Sequence, residues 1–238
     1  MACGTHGKIV LAGVLALSAV AASAPAAAVD FFEGIDPNTL QPRRALVIAV
    51  PTVRHAAGFQ PLDNPINDSV AVTKTLESIG FSFTQNLAAQ FETTEMTRRT
   101  IKNAIYDFAT ELKGTDTIGL VYFAGHGIER DDGRRYLVPY DGLVRYERDL
   151  EDELIPVEFI YDAFREAGTP LNFLILDTCR NNPFAEKLAT FASGHESSSK
   201  RKRPPKNVVI LSSTLSGDVA ADGAGNLSPF AQAFIDGI

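Results

Sequence analysis

Cys179 and His126 are the side chains of this sequence best suited to covalent chemistry. Cys179 stands in NFLILDTCRNNPF (172–184), just past the apolar run Phe173 to Leu176. His126 follows a second apolar run, Thr117 to Phe123, in TIGLVYFAGHG. Short continuous apolar runs of this kind form strands buried on both faces of a parallel sheet. Open α/β sheets bind ligands just past the carboxyl ends of their strands, so both groups are expected at one rim. A thiol attacks as thiolate, and a neighbouring imidazole promotes its deprotonation, so the two residues are the minimum parts of a nucleophile and its base.

The elements that must hold this pair follow from the same patterns. Arg44 to Val50, RALVIAV, reads as a first buried strand, followed by a long proline-bearing loop, Pro51 to Pro65, whose length makes it a candidate binding loop. Asn67 or Asp68 can cap a helix running to Ile79, with Gly80 as its stop. Phe81 to Phe83 reads as a short strand, and Thr93 to Leu112 as one amphipathic helix carrying Met96, Ile101, Ile105, Phe108 and Leu112 on one face. The alternation of strand and helix predicts a parallel sheet covered on both sides. Arg135 to Val138 reads as a returning strand after the turn at Asp131 to Gly133, and Val157 to Ala167 as a helix. Val208 to Leu211 reads as a further strand, and Ser228 with Pro229 opens a last helix. Tyr122 and Phe123 read as core.

The chain has 238 residues, enough for one sizeable domain. A net charge of −7 argues against a general nucleic-acid binder. Residues 1–28 have the form of a Sec-type signal peptide: Lys8, the apolar stretch Ile9 to Ala22, and an A-x-A site ending at Ala28. The expectation is export to the periplasm or beyond, with no stable membrane span once the signal is removed; an uncleaved anchor is the alternative. Cys3 lies inside this segment, so the mature chain keeps Cys179 alone, which rules out an internal disulfide. A polar lead-in occupies 29–42, and an exposed basic, proline-bearing linker 193–206.

Cys179 lies 53 residues after His126 (179 − 126). That spacing, the GHG after one strand and the D-T-C-R after the next resemble the caspase-like cysteine peptidases, in particular the metacaspase and bacterial orthocaspase branch. The resemblance covers 43–192 as the catalytic, large-subunit-like region, and 207–238 more loosely as a small-subunit-like region, short for the family. It implies an α/β caspase-hemoglobinase-like fold, with a mostly parallel central sheet flanked by helices on both faces. It further implies a thioester mechanism with Cys179 as nucleophile, His126 as general base and acid, and the backbone amides of Gly127 and Cys179 as oxyanion hole. No third member of a triad is evident. A non-catalytic signalling or interaction module on the same fold is the alternative.

The resemblance also bears on specificity. Asp68 and Asp177 match the acidic pair that lines the first specificity pocket of metacaspases, which implies polypeptide substrates with Arg or Lys before the cut. As residues alone, Asp68 reads equally as a helix cap and Asp177 as a turn-former. Lys200, Arg201, Lys202, Arg203 and Lys206 read either as a solvated basic loop or as a self-processing site. No cofactor is required by the sequence. Calcium is a family possibility, for which Asp131, Asp132, Asp149, Glu151, Asp152 and Glu153 supply hard oxygen atoms, though their spacing matches no calcium loop and a solvated acidic face is the other reading. Nothing in the sequence identifies an oligomeric state.

Overall fold

In the computed structural model, residues 41–55, 58–130, 132–146, 148–178, 203–213 and 225–238 are described. The apolar runs become the middle of a five-stranded sheet. Strand β1 (Arg43–Val50) pairs with β2 (Phe83–Asn86) and with β3 (Ile118–Gly125), β3 pairs with β7 (Asn172–Thr178), and β7 with β8 (Val208–Ser212), every pairing parallel. The central strands are buried almost without break because helices cover both faces, which is why their sequences run apolar rather than alternating.

Successive side chains along a strand point to opposite faces, and this divides the core in two. Leu46, Ile48, Val121, Phe123, Leu174 and Leu176 pack against α3 (Arg98–Leu112) and α5 (Val157–Ala167). Ala45, Val47, Leu120, Tyr122, Ala124 and Ile175 face the other way, toward α1 (Pro65–Ser78) and α6 (Pro229–Asp236). Beyond the carboxyl end of β3 the chain folds into a small antiparallel sheet of β4 (Gly127–Glu129), β5 (Arg135–Leu137) and β6 (Ile155–Pro156).

Three local expectations shift. Helix α1 begins at Pro65, earlier than the Asn67 or Asp68 cap reading, because proline suits a first helical position, where its missing N–H is not needed. Strand β2 starts at Phe83 because Phe81 closes the preceding helix: its N–H reaches the Leu76 carbonyl at 3.0 Å around Gly80, which takes the left-handed φ of 91° that this cap requires. A short helix α2 (Leu87–Gln90) then follows, capped by the Asn86 side chain. The segment expected as one helix over 93–112 divides into a 3₁₀ turn (Thr93–Glu95) and α3, whose N-cap Thr97 accepts from the Thr100 amide at 3.2 Å. Met96, in the break between them, is still fully buried, so the apolar spacing reported burial correctly but not the helix start.

The acidic stretch forms a short helix, α4 (Asp149–Glu153). Arg98 holds it by donating to the carbonyls of Leu154 and Glu151, each at 2.9 Å. Among the described residues no helix is long and apolar enough to cross a membrane.

Candidate active site

The carboxyl ends of β1, β3 and β7 lie side by side: Val50 is opposite Gly125, and Gly125 opposite Thr178. His126 follows Gly125 in the chain, and Cys179 follows Thr178. The parallel register thus puts the residue before the imidazole next to the residue before the thiol. Cys179 itself lies outside the described residues. Gly125 makes the corner possible, since with φ at 156° a Cβ there would stand 2.9 Å from the Val50 carbonyl oxygen, closer than such atoms tolerate.

His126 is buried at the corner between β3 and β4. Its Nε2 lies 2.7 Å from the backbone carbonyl of Gln60. A carbonyl only accepts, so Nε2 carries the hydrogen, and in the neutral ring Nδ1 is the basic nitrogen. The ring also packs on Phe59, with centroids 4.9 Å apart. Both partners come from the long first loop, which is tied down by the Leu62 amide on the Pro51 carbonyl and the Arg54 amide on the Tyr140 carbonyl. Phe59 is buried with Val53, Ile128, Tyr136 and Val138, so the loop is packed onto the small sheet. Gly127 sits opposite Leu137. Two ladder bonds, Val138 N–H to the His126 carbonyl and Arg130 N–H to the Arg134 carbonyl, fall at the even positions of β4 and its flanks. By the alternation of antiparallel pairs, the Gly127 N–H is directed away from β5.

Asp68 and Asp177, from α1 and the end of β7, converge on Ser228. The Ser228 N–H donates to Asp68 Oδ1 at 2.9 Å, and its Oγ–H donates to Asp177 Oδ2 at 2.5 Å. Tyr122 adds a long hydrogen bond from its hydroxyl to the same Asp177 oxygen, at 3.4 Å. Only 1% of Asp68 and 8% of Asp177 is exposed, so the pair forms a buried acidic locus rather than a solvated one. Burial, then the charges of Asp177 and Asp68, hold the Tyr122 phenol well above its usual range. The helix-cap reading of Asp68 is corrected here. Asn64 occupies the N-cap, and Asp68 lies a turn further on, where its carboxylate meets a residue from the far end of the chain.

The other candidate residues fall elsewhere. Arg203 and Lys206 are exposed just ahead of β8, while Lys200, Arg201 and Lys202 lie outside the described residues. Asp131 also lies outside them. Arg134, almost fully buried, donates to Asp132 at 2.9 Å and to Glu151 at 2.6 Å, and Tyr136 donates to the same Glu151 oxygen. Asp149 accepts the amides of Arg145 and Tyr146. A guanidinium thus stands between Asp132 and Glu151. Among the described residues no group of three or more His, Cys, Asp or Glu side chains is arranged to hold a metal ion.

Sequence reasoning missed Gln60, Tyr122 and Ser228 as parts of the site. The Gln60 contribution is a backbone carbonyl, which has no residue-type signature. Tyr122 reads as core and is core, but its hydroxyl reaches Asp177. Ser228 was legible as a helix cap, and it does accept from the Ala231 amide at 3.0 Å; its bridge to the two acids was not legible.

A family model described as a caspase domain matches residues 42–238. No curated protein matches the chain.

Proposed function

This chain belongs to the caspase-domain family of cysteine peptidases, and from that membership we propose that it is a metacaspase-type endopeptidase cutting polypeptides after Arg or Lys with a Cys179–His126 dyad. The Cys179 thiol gives its proton to Nδ1 of His126, and the thiolate adds to the scissile carbonyl. The Gly127 and Cys179 amides stabilise the oxyanion. Collapse breaks the C–N bond as His126 returns the proton to the leaving amine, leaving a thioester on Cys179. Water, deprotonated by His126, adds to the thioester, and the acid product departs with the thiol restored. The Gln60 carbonyl supports this cycle by holding Nε2–H, which leaves Nδ1 to accept and return the proton.

The observation that carries the specificity is the convergence of the buried Asp68 and Asp177 on one serine. Two carboxylates in one recess favour a cationic side chain through charge-assisted hydrogen bonds. The exposed Arg203 and Lys206 suit self-processing within the basic linker, and residues 1–28 suit export as a cleaved signal.

The test is hydrolysis of fluorogenic peptides ending in Arg, Lys or Asp, with and without calcium, beside Cys179→Ala. Turnover of the Arg and Lys peptides that vanishes in Cys179→Ala is the expected result. Turnover of Asp peptides alone overturns the acidic-pocket assignment. No turnover of any peptide overturns the catalytic reading in favour of a binding module on the same fold.

A further inference from the structure

Ser228 is 160 residues from Asp68 and 51 from Asp177 in the chain, yet it bonds both. Its bonds have fixed directions. The Oγ accepts the Ala231 amide as the N-cap of α6, so its single proton goes to Asp177, at a distance typical of a hydroxyl on an ionised carboxylate. Its own N–H is committed to Asp68. Two carboxylates buried close together repel when both are ionised, and donors shared between them offset that repulsion. Helix α6 braces the arrangement from the same side, with Ala231 buried and Phe234 stacked 6.3 Å from the Tyr122 ring, whose hydroxyl also serves Asp177.

We infer that Ser228 is a positioning residue of the specificity pocket: its hydroxyl and amide set the spacing at which Asp177 and Asp68 receive the cationic side chain of the substrate. This rests on the Arg/Lys reading above. Its consequence is that selectivity depends on α6, an element that contributes neither of the two acids and neither member of the dyad. Capping alone would give Ser228 a purely structural role, so the test must separate the two.

Glycine at an N-cap costs a helix only a few tenths of a kcal/mol relative to serine, so Ser228→Gly removes the hydroxyl with little loss of capping, and Ser228→Thr restores it. The readouts are KM and kcat/KM for an Arg-ending peptide, together with the rate at which iodoacetamide alkylates Cys179, which reports the dyad and not the pocket. Expected for Ser228→Gly is a raised KM and a fall in kcat/KM of roughly tenfold to a hundredfold, the loss of one hydrogen bond to a charged group. Alkylation should stay within twofold of the unsubstituted protein, and Ser228→Thr should recover most of the loss. An unchanged KM in Ser228→Gly, or equal falls in peptide turnover and alkylation, overturns the inference and leaves Ser228 as a cap only. If the unsubstituted protein turns over Asp peptides and no Arg or Lys peptide, the pocket reading itself has failed, a result recorded before any Ser228 variant is made.

Discussion

The Nε2 of His126 donates to the backbone carbonyl of Gln60 at 2.7 Å, so a loop that follows the first strand orients an imidazole that follows the third. Phe59 packs on the same ring and anchors that loop. Phe59→Ala should therefore lower kcat by about tenfold or more while changing KM little, because general-base catalysis depends on where the ring points. Thermal melting should fall as well, since removing a buried phenylalanine side chain costs about 3–5 kcal/mol. Phe59→Leu, with a smaller packing loss, should fall between the two in kcat. Steady-state kinetics beside melting curves check this, and an unchanged kcat in Phe59→Ala would show that the loop does not orient the ring.

Asp68→Asn and Asp177→Asn should each raise KM for Arg and Lys peptides, with kcat/KM falling roughly tenfold to a hundredfold for the loss of a charge-assisted bond. Because Ser228 joins the two acids, the double substitution should cost less than the two single effects combined. A double-mutant cycle on kcat/KM measures this coupling, and strict additivity would mean the acids act independently.

Gly125→Ala should be damaging out of proportion to its size. The added Cβ would stand 2.9 Å from the Val50 carbonyl and 3.1 Å from the Phe123 ring, on a backbone that L-residues rarely adopt. Strain of about 1–3 kcal/mol is expected. Relief would move His126 away from the β7 end, so activity should fall further than stability. Denaturant unfolding beside peptide hydrolysis tests the comparison.

Tyr122 makes stability fall with alkali. Its folded-state pKa is raised, chiefly by burial and then by the charges of Asp177 and Asp68, so the folded state holds the phenolic proton at pH values where the unfolded chain has released it. The stabilisation is complete below the unfolded pKa of about 10 and is lost as pH rises beyond it. Tyr136, also held above its usual range by burial and by Glu151, contributes in the same direction. Melting temperatures of the protein and of Tyr122→Phe between pH 8 and 11 should separate above pH 10, with the variant declining less steeply. Parallel declines would remove Tyr122 as a cause.

The strands that carry His126 and the thiol were legible because a strand buried on both faces must be apolar throughout, and that is a local property of Thr117 to Phe123 and Phe173 to Leu176. Helix ends were less legible. Phe81 looks like strand but closes a helix, and Met96 keeps the apolar spacing although the helix breaks there, since burial and helicity are separate demands on one residue. By itself the sequence determined the buried strands, the histidine and cysteine that follow two of them, and the family to which that pattern belongs. Only the tertiary structure decided that Gln60 orients the imidazole and that Ser228 joins Asp68 to Asp177. The physical reason is that a carbonyl is common to every residue, and a hydrogen bond across 160 residues leaves no mark on the composition around either end.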